Sequence, residues 1–236
     1  MNKQLESGVQ YDARHAAAYE RKIRQLIPGY DTLHALSASL LQQQLGKDAR
    51  LLVAGSGSGE ELARLAALAP GWRFTAVDPA PAMNALAGTR LADVGAAARV
   101  EFRSGKLGEV PLATDHAAAT ALLVLHFLPD DGSKLAFLRA VADALQPDGL
   151  LLLADLGGER GEAQFDMLFA AWRHQQDASR DRPEQVALDF AHLQHNVYPV
   201  SAKRRDALLA EAGFAVQGEY WRSFGLAAIC CRKVGG

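Results

Sequence analysis

From Lys47-Asp48 onward, short apolar runs alternate with stretches of helical period, and this alternation restricts the chain to βαβ units around a mostly parallel sheet. Residues 50–54, 73–77, 99–103, 118–127 and 150–154 read as strands, separated by helical stretches over 60–69, 81–94 and 135–145. The run at 118–127 is apolar throughout, as a strand buried on both faces should be. Gln146-Pro147-Asp148-Gly149 reads as a turn that stops the helix before the fifth strand.

Either side of this block the pattern changes. Tyr19, Ile23, Leu26 and Ile27, and after Pro28-Gly29 also Leu33, Leu36, Leu40 and Leu41, recur at helical spacing, so residues 1–47 are expected to form a helical cap. Residues 48–236 form the α/β domain, with a polar, His-rich insertion at about 157–200 that breaks the alternation. A helix over 201–212 and runs at 215–221 and 225–232, which can pair as antiparallel strands, complete the chain.

The first strand runs into Gly55-Ser56-Gly57-Ser58-Gly59, followed directly by a helix. Such a turn aims backbone N–H groups and the positive end of the helix dipole at a ligand, and its glycines allow a sharp bend and close approach. A dinucleotide fingerprint would need a glycine at 60, where Glu60 and Glu61 stand instead. Two carboxylates at that terminus would repel a pyrophosphate, and no Lys-Ser or Lys-Thr pair follows to make a P-loop. Asp78, at the end of the second strand about 20 residues further on, stands where a nucleoside ribose would be held. The bland alternative for Asp78 is a helix cap ahead of Pro79 and Pro81.

These features resemble the class I S-adenosylmethionine-dependent methyltransferases, through Leu51-Leu52-Val53-Ala54-Gly55-Ser56-Gly57-Ser58-Gly59, Val77-Asp78-Pro79, Leu145-Gln146-Pro147-Asp148-Gly149-Leu150 and Glu211-Ala212-Gly213-Phe214. The resemblance implies a Rossmann-like fold: a mostly parallel seven-stranded sheet, helices on both faces and an antiparallel last strand. It implies S-adenosylmethionine as cofactor. Gly55, Ser56, Gly57 and Gly59 would hold its methionine end, Asp78 the ribose, and Pro79, Met83, Lys106 and Leu107 the adenine. A narrower similarity, to the carboxy-S-adenosylmethionine synthase group, runs through Ile27-Pro28-Gly29-Tyr30, Asp78-Pro79-Ala80-Pro81-Ala82-Met83 and Phe127-Leu128. Both groups carry an acid where this chain has Val53, methyltransferases commonly have an aspartate where it has Lys106, and the synthases have an arginine near Phe190.

Methyl transfer from a sulfonium is an in-line displacement, in which a base is needed only if the acceptor loses a proton. His126, at the end of the fourth apolar run, is the candidate base, with a structural histidine as its alternative. Tyr11, His15, Tyr30, His174 and Arg222 are candidates to touch the substrate. His192 and His195 are three apart without a carboxylate or cysteine cluster to complete a metal site, so none is expected.

Charge bounds the partners: 25 basic and 27 acidic residues nearly cancel and form no long basic run, which disfavours nucleic acid and leaves a small-molecule substrate. No apolar run approaches the roughly 20 residues of a membrane span. The N-terminal residues lack a signal-peptide pattern, and Cys230 and Cys231 are adjacent, so a cytoplasmic protein with reduced thiols is expected. The insertion and the Trp-containing tail make a homodimer the expected assembly. A non-catalytic cofactor-binding module is the alternative to an enzyme.

Overall fold

The computed structural model describes residues 21–235, so Tyr11 and His15 lie outside the described residues. A helical stretch over residues 21–26 leads into α1 (Tyr30–Gln44). Then follow β1 (Arg50–Ala54), α2 (Glu60–Leu68), β2 (Arg73–Asp78), α3 (Pro81–Asp93), β3 (Val100–Ser104) and β4 (His116–Leu122). The second half comprises α4 (Ser133–Ala144), β5 (Leu145–Leu156), α5 (Ala163–Ser179), α6 (Pro183–Asn196), α7 (Ala202–Glu211), β6 (Phe214–Ser223) and β7 (Leu226–Lys233).

The seven strands lie in the order β3-β2-β1-β4-β5-β7-β6. β7 runs antiparallel to both neighbours, and the remaining pairs are parallel. The strand order reverses between β1 and β4, which opens a crevice at their carboxyl ends, the position where doubly wound sheets take ligands.

Alternation along the central strands divides the core in two. Leu51 and Val53 of β1 face one buried cluster with Leu33 and Leu41 of α1 and Leu62 and Leu65 of α2. Leu52 and Ala54 face the other, with Leu138 and Val141 of α4 and Leu208 and Leu209 of α7. α1 is therefore integral to the core. Alanines at 118, 119 and 121 keep both faces of β4 small enough for close helix packing. α7 starts where its N-cap Ser201 hydroxyl accepts the N–H of Arg204 at 3.3 Å.

Two expectations need correction. β4 ends at Leu122 rather than continuing to 127, because the backbone leaves the sheet at Leu123, whose φ is 63°, and forms a short 3-10 turn over Leu125–Phe127. The 146–149 segment is a bulge within β5 rather than a turn before it. His116 pairs with Leu145 and Ala118 with Leu150, so the extra residues loop out at Asp148 (φ 58°) while Leu145 and Leu150 both stay buried. The insertion contains two helices, α5 and α6.

Candidate functional site

Gly55, Gly57 and Gly59 all have positive φ, at 79°, 50° and 80°. Gly55 and Gly59 are needed for space as well. A Cβ at Gly55 would sit 2.4 Å from Val124 Cγ2, and one at Gly59 would sit 2.8 Å from the backbone Cα of Ala87. At Gly57 a Cβ would meet nothing within 4 Å, because that residue faces open space.

That space is a cavity of about 1080 Å³ over the β1/β4 crevice, large enough for a nucleoside-type cofactor and a small acceptor together. Its floor includes Gly55, Ser56, Gly57, Asp78, Pro79, Met83, Lys106, Leu107 and His126. The roof comes from two distant parts of the chain: Lys22, Ile27, Tyr30 and His34 before β1, and Trp172, Asp189 and His192 from the insertion. Trp172 Nε1 donates to the Leu26 carbonyl at 2.7 Å, and Asp189 accepts from Lys22 at 2.7 Å and from Arg180 at 2.9 Å.

Asp78 is buried at the end of β2, where Oδ2 accepts from Gly57 N–H and Oδ1 from Ala80 N–H, each at 2.9 Å. The carboxylate thus ties the glycine loop to the start of α3 and keeps lone pairs free for ligand hydroxyls. The glycine loop is also held by Gly55 N–H donating to Val77 O at 2.7 Å. Lys106 is 74% exposed at the rim, and Leu107 is half-buried.

His126 sits in the 3-10 turn, buried against the cavity. Its Nδ1 lies 2.5 Å from Asp155 Oδ1, and the same oxygen accepts the His126 backbone N–H at 2.8 Å. A proton on Nδ1 shared with Asp155 leaves Nε2 as the basic nitrogen. The Leu156 N–H also points at Nδ1, at 3.4 Å, a longer and weaker contact than the 2.5 Å approach of Asp155. Nε2 makes no hydrogen bond to the described residues. Beneath the turn, fully buried Lys134 donates to Leu125 O at 2.7 Å. Burial lowers its pKa, against the pull of the Asp155 and Asp130 carboxylates.

The paired acids after the loop have separate fates. Glu60 accepts from Arg24, from Arg64 at 2.8 Å and from Arg90 at 2.7 Å, and is thereby neutralised. Glu61 lines the cavity with no salt bridge, its Oε1 buried and without a hydrogen-bond partner. Burial pushes its carboxyl up to about 7. Nearby Thr120 pulls the other way, although its hydroxyl closes no hydrogen bond. Across the same lobe His34 has both ring nitrogens unpartnered, and burial first, then the Arg64 charge, hold its pKa down at about 4.

Of the other sequence-derived candidates, Tyr30 lines the cavity with its ring edge to His34, 4.4 Å between centroids. Gly59 does not line it and instead starts α2 against Ala87. His174 is exposed on α5, and Arg222 is exposed on β6, bound to Glu219 at 2.6 Å; neither reaches the cavity. Val53 is wholly buried in the core. No cluster of three potential metal ligands occurs among the described residues. Asp155 and Lys134 are polar groups that sequence reasoning passed over, and Glu61 enters it only as a bar to pyrophosphate. A strand-end acid, the signal that marked Asp78, was also present at Asp155.

Residues 52–151 match the family model described as "Methyltransferase domain". A curated relative, 3-hydroxy-5-methyl-1-naphthoate 3-O-methyltransferase of Streptomyces sahachiroi, is 31% identical over 107 residues, which is 45% of this chain and 30% of that protein. Among solved structures, mitomycin 7-O-methyltransferase MmcR superposes with a TM-score of 0.65 at 21% identity, over 94% of this chain and 58% of its own. The cyclase SpnF superposes at 0.61 and 16% identity, over 84% of this chain and 80% of its own. The chain therefore spans about a third of the curated relative's length and under two thirds of that of MmcR. Its fold is the Rossmann-like class I methyltransferase fold.

Proposed function

We propose that this chain is an S-adenosylmethionine-dependent methyltransferase acting on a hydroxyl of a small molecule, with His126 as general base. The observation that carries the reading is the His126–Asp155 pair in the wall of a cavity floored by the glycine loop, with Nδ1 engaged by the carboxylate. The fold alone does not choose the chemistry, since a cyclase shares it. A buried base with an orienting carboxylate favours proton removal from an acceptor over a non-catalytic module. The 3-O-methyltransferase relative supports oxygen as the acceptor atom.

The residues present fit the cofactor: Gly57 opens directly on the cavity, Asp78 has acceptor capacity left for ribose hydroxyls, and the cavity volume suffices. Gly55, Ser56 and Gly57 would hold the methionine end, and Pro79, Met83, Lys106 and Leu107 the adenine. Bound, the cofactor supplies an electrophilic methyl group. For its part, the chain excludes water with the Tyr30 and Trp172 roof and orients the acceptor hydroxyl. His126 Nε2 receives the hydroxyl proton while Asp155 stabilises the imidazolium.

Position 190 gives no support to carboxyl-sulfonium chemistry. Phe190 is buried in an aromatic cluster, 5.3 Å from Trp172 and 5.2 Å from Phe169 between centroids, so an added carboxylate there would lack a cation. The unpaired thiols of Cys230 and Cys231 support a cytoplasmic setting, and exposed Met167 and Leu188 on α5 and α6 support a homodimer, measurable by sedimentation. No helix among the described residues is long and apolar enough to cross a membrane.

The test pairs binding with turnover. Calorimetry should register S-adenosylhomocysteine binding, and a product screen over phenolic and hydroxy-acid acceptors should register methylation. His126→Gln should lower kcat by roughly 10²–10⁴-fold while leaving S-adenosylhomocysteine affinity within about twofold. Absent binding, or a His126→Gln enzyme of full activity, would overturn the reading.

A further inference from the structure

Glu61 is a carboxylate of the glycine-loop region with no charged partner among the described residues. Its neighbour Glu60 is met by three arginines, and each oxygen of Asp78 accepts one backbone N–H. Glu61 Oε1 has no donor, although it is buried in the wall of the cavity. An ionised carboxylate in such a place is costly unless a cation meets it.

Its position narrows what that cation can be. Glu61 is in the first turn of α2, immediately after the loop. Thr120, the β4 residue close to it, is the register partner of Val53 on β1. Glu61 therefore reaches from α2 to the place beside the strand position that Val53 fills with a methyl-bearing side chain. The arginines nearest to it in sequence and space are engaged elsewhere: Arg64 bonds Glu60 and Asp31, and Arg90 bonds Glu60. The open side of Glu61 faces the same cavity as Gly57 and Asp78.

We propose that Glu61 is the acceptor for the α-ammonium group of the cofactor's amino-acid end, so that the carboxylate missing from β1 at Val53 is supplied from α2. The inference rests on the S-adenosylmethionine reading above and adds a recognition residue to it. A site of this kind discriminates between adenosyl ligands with and without an amino-acid end, because a buried carboxylate left unpaired opposes binding of the truncated ones.

Two ligands separate the possibilities by calorimetry: S-adenosylhomocysteine, which carries the ammonium, and 5′-methylthioadenosine, which lacks the whole amino-acid end. Glu61→Gln should weaken S-adenosylhomocysteine at least tenfold and leave 5′-methylthioadenosine within about twofold or slightly improved. Equal loss for both ligands, or no loss for either, would overturn the assignment. Should Glu61→Gln not fold, the wild-type protein decides. It should prefer S-adenosylhomocysteine at least tenfold over the analogue lacking only the α-amino group, and equal affinities would overturn the proposal. Wild-type protein that binds none of these ligands would refute the cofactor reading itself, a result distinct from each of the others.

Discussion

At the scale of single residues, the two unpartnered groups in the cavity lobe make opposite demands on pH. Glu61 in the folded chain keeps its proton up to about 7 against an ordinary 4.5, so the folded state binds more protons between those values and stability falls as pH rises through them. His34 is held at about 4 against 6.5, so the unfolded state binds more protons there, and stability falls as pH drops from 6.5 toward 4. Each effect is bounded at about 3 kcal/mol. Between pH 4.5 and 6.5 the two slopes oppose, and these groups should contribute a nearly flat profile. Glu61→Gln should unmask His34: thermal unfolding at pH 5, 6.5 and 8 should show a steeper loss on acidification, with a higher Tm than wild type at pH 8. A variant whose profile parallels the wild type would sink this account. Neighbouring Glu60 and Glu61 also mark where sequence reading stops. Both are plainly acids at a helix start, but a step of about 100° around the helix sends one to three arginines and the other into the cavity wall.

Among the elements, the glycine loop separates folding from binding within five residues. Gly59→Ala would drive a Cβ into the Ala87 backbone at positive φ, and should cost about 2–4 kcal/mol in chemical denaturation. Gly57→Ala meets no atom and should cost only about 1 kcal/mol for its left-handed backbone. Its methyl group would point into the cavity, so S-adenosylhomocysteine affinity should fall tenfold or more, as calorimetry can measure. The loop, the strand alternation and Asp78 were legible because each is local: a strand runs into glycines, and an acid ends the next strand. The end of β4 was not legible. Residues 118–127 are apolar throughout, so composition carried no trace of the left-handed Leu123 that lifts His126 out of the sheet. The partners of that turn, Lys134 and Asp155, come from the following helix and strand, and only the closed sheet order brings them beneath it.

For the whole molecule, the cavity joins residues far apart in sequence, and the bond from Trp172 to the Leu26 carbonyl spans 146 positions. Trp172→Phe removes that bond and should cost about 1 kcal/mol of stability. Because Trp172 belongs to the roof, the variant should raise the acceptor KM several-fold while S-adenosylhomocysteine affinity stays within about twofold, a split that steady-state kinetics and calorimetry resolve together. The floor and the roof are drawn from different stretches, residues 55–126 for the one and the segments before β1 and after β5 for the other. Selection can therefore act on them separately. A lineage can exchange or lengthen the roof segments and acquire a new acceptor while the donor half, with its glycine turn and ribose carboxylate, is inherited unchanged.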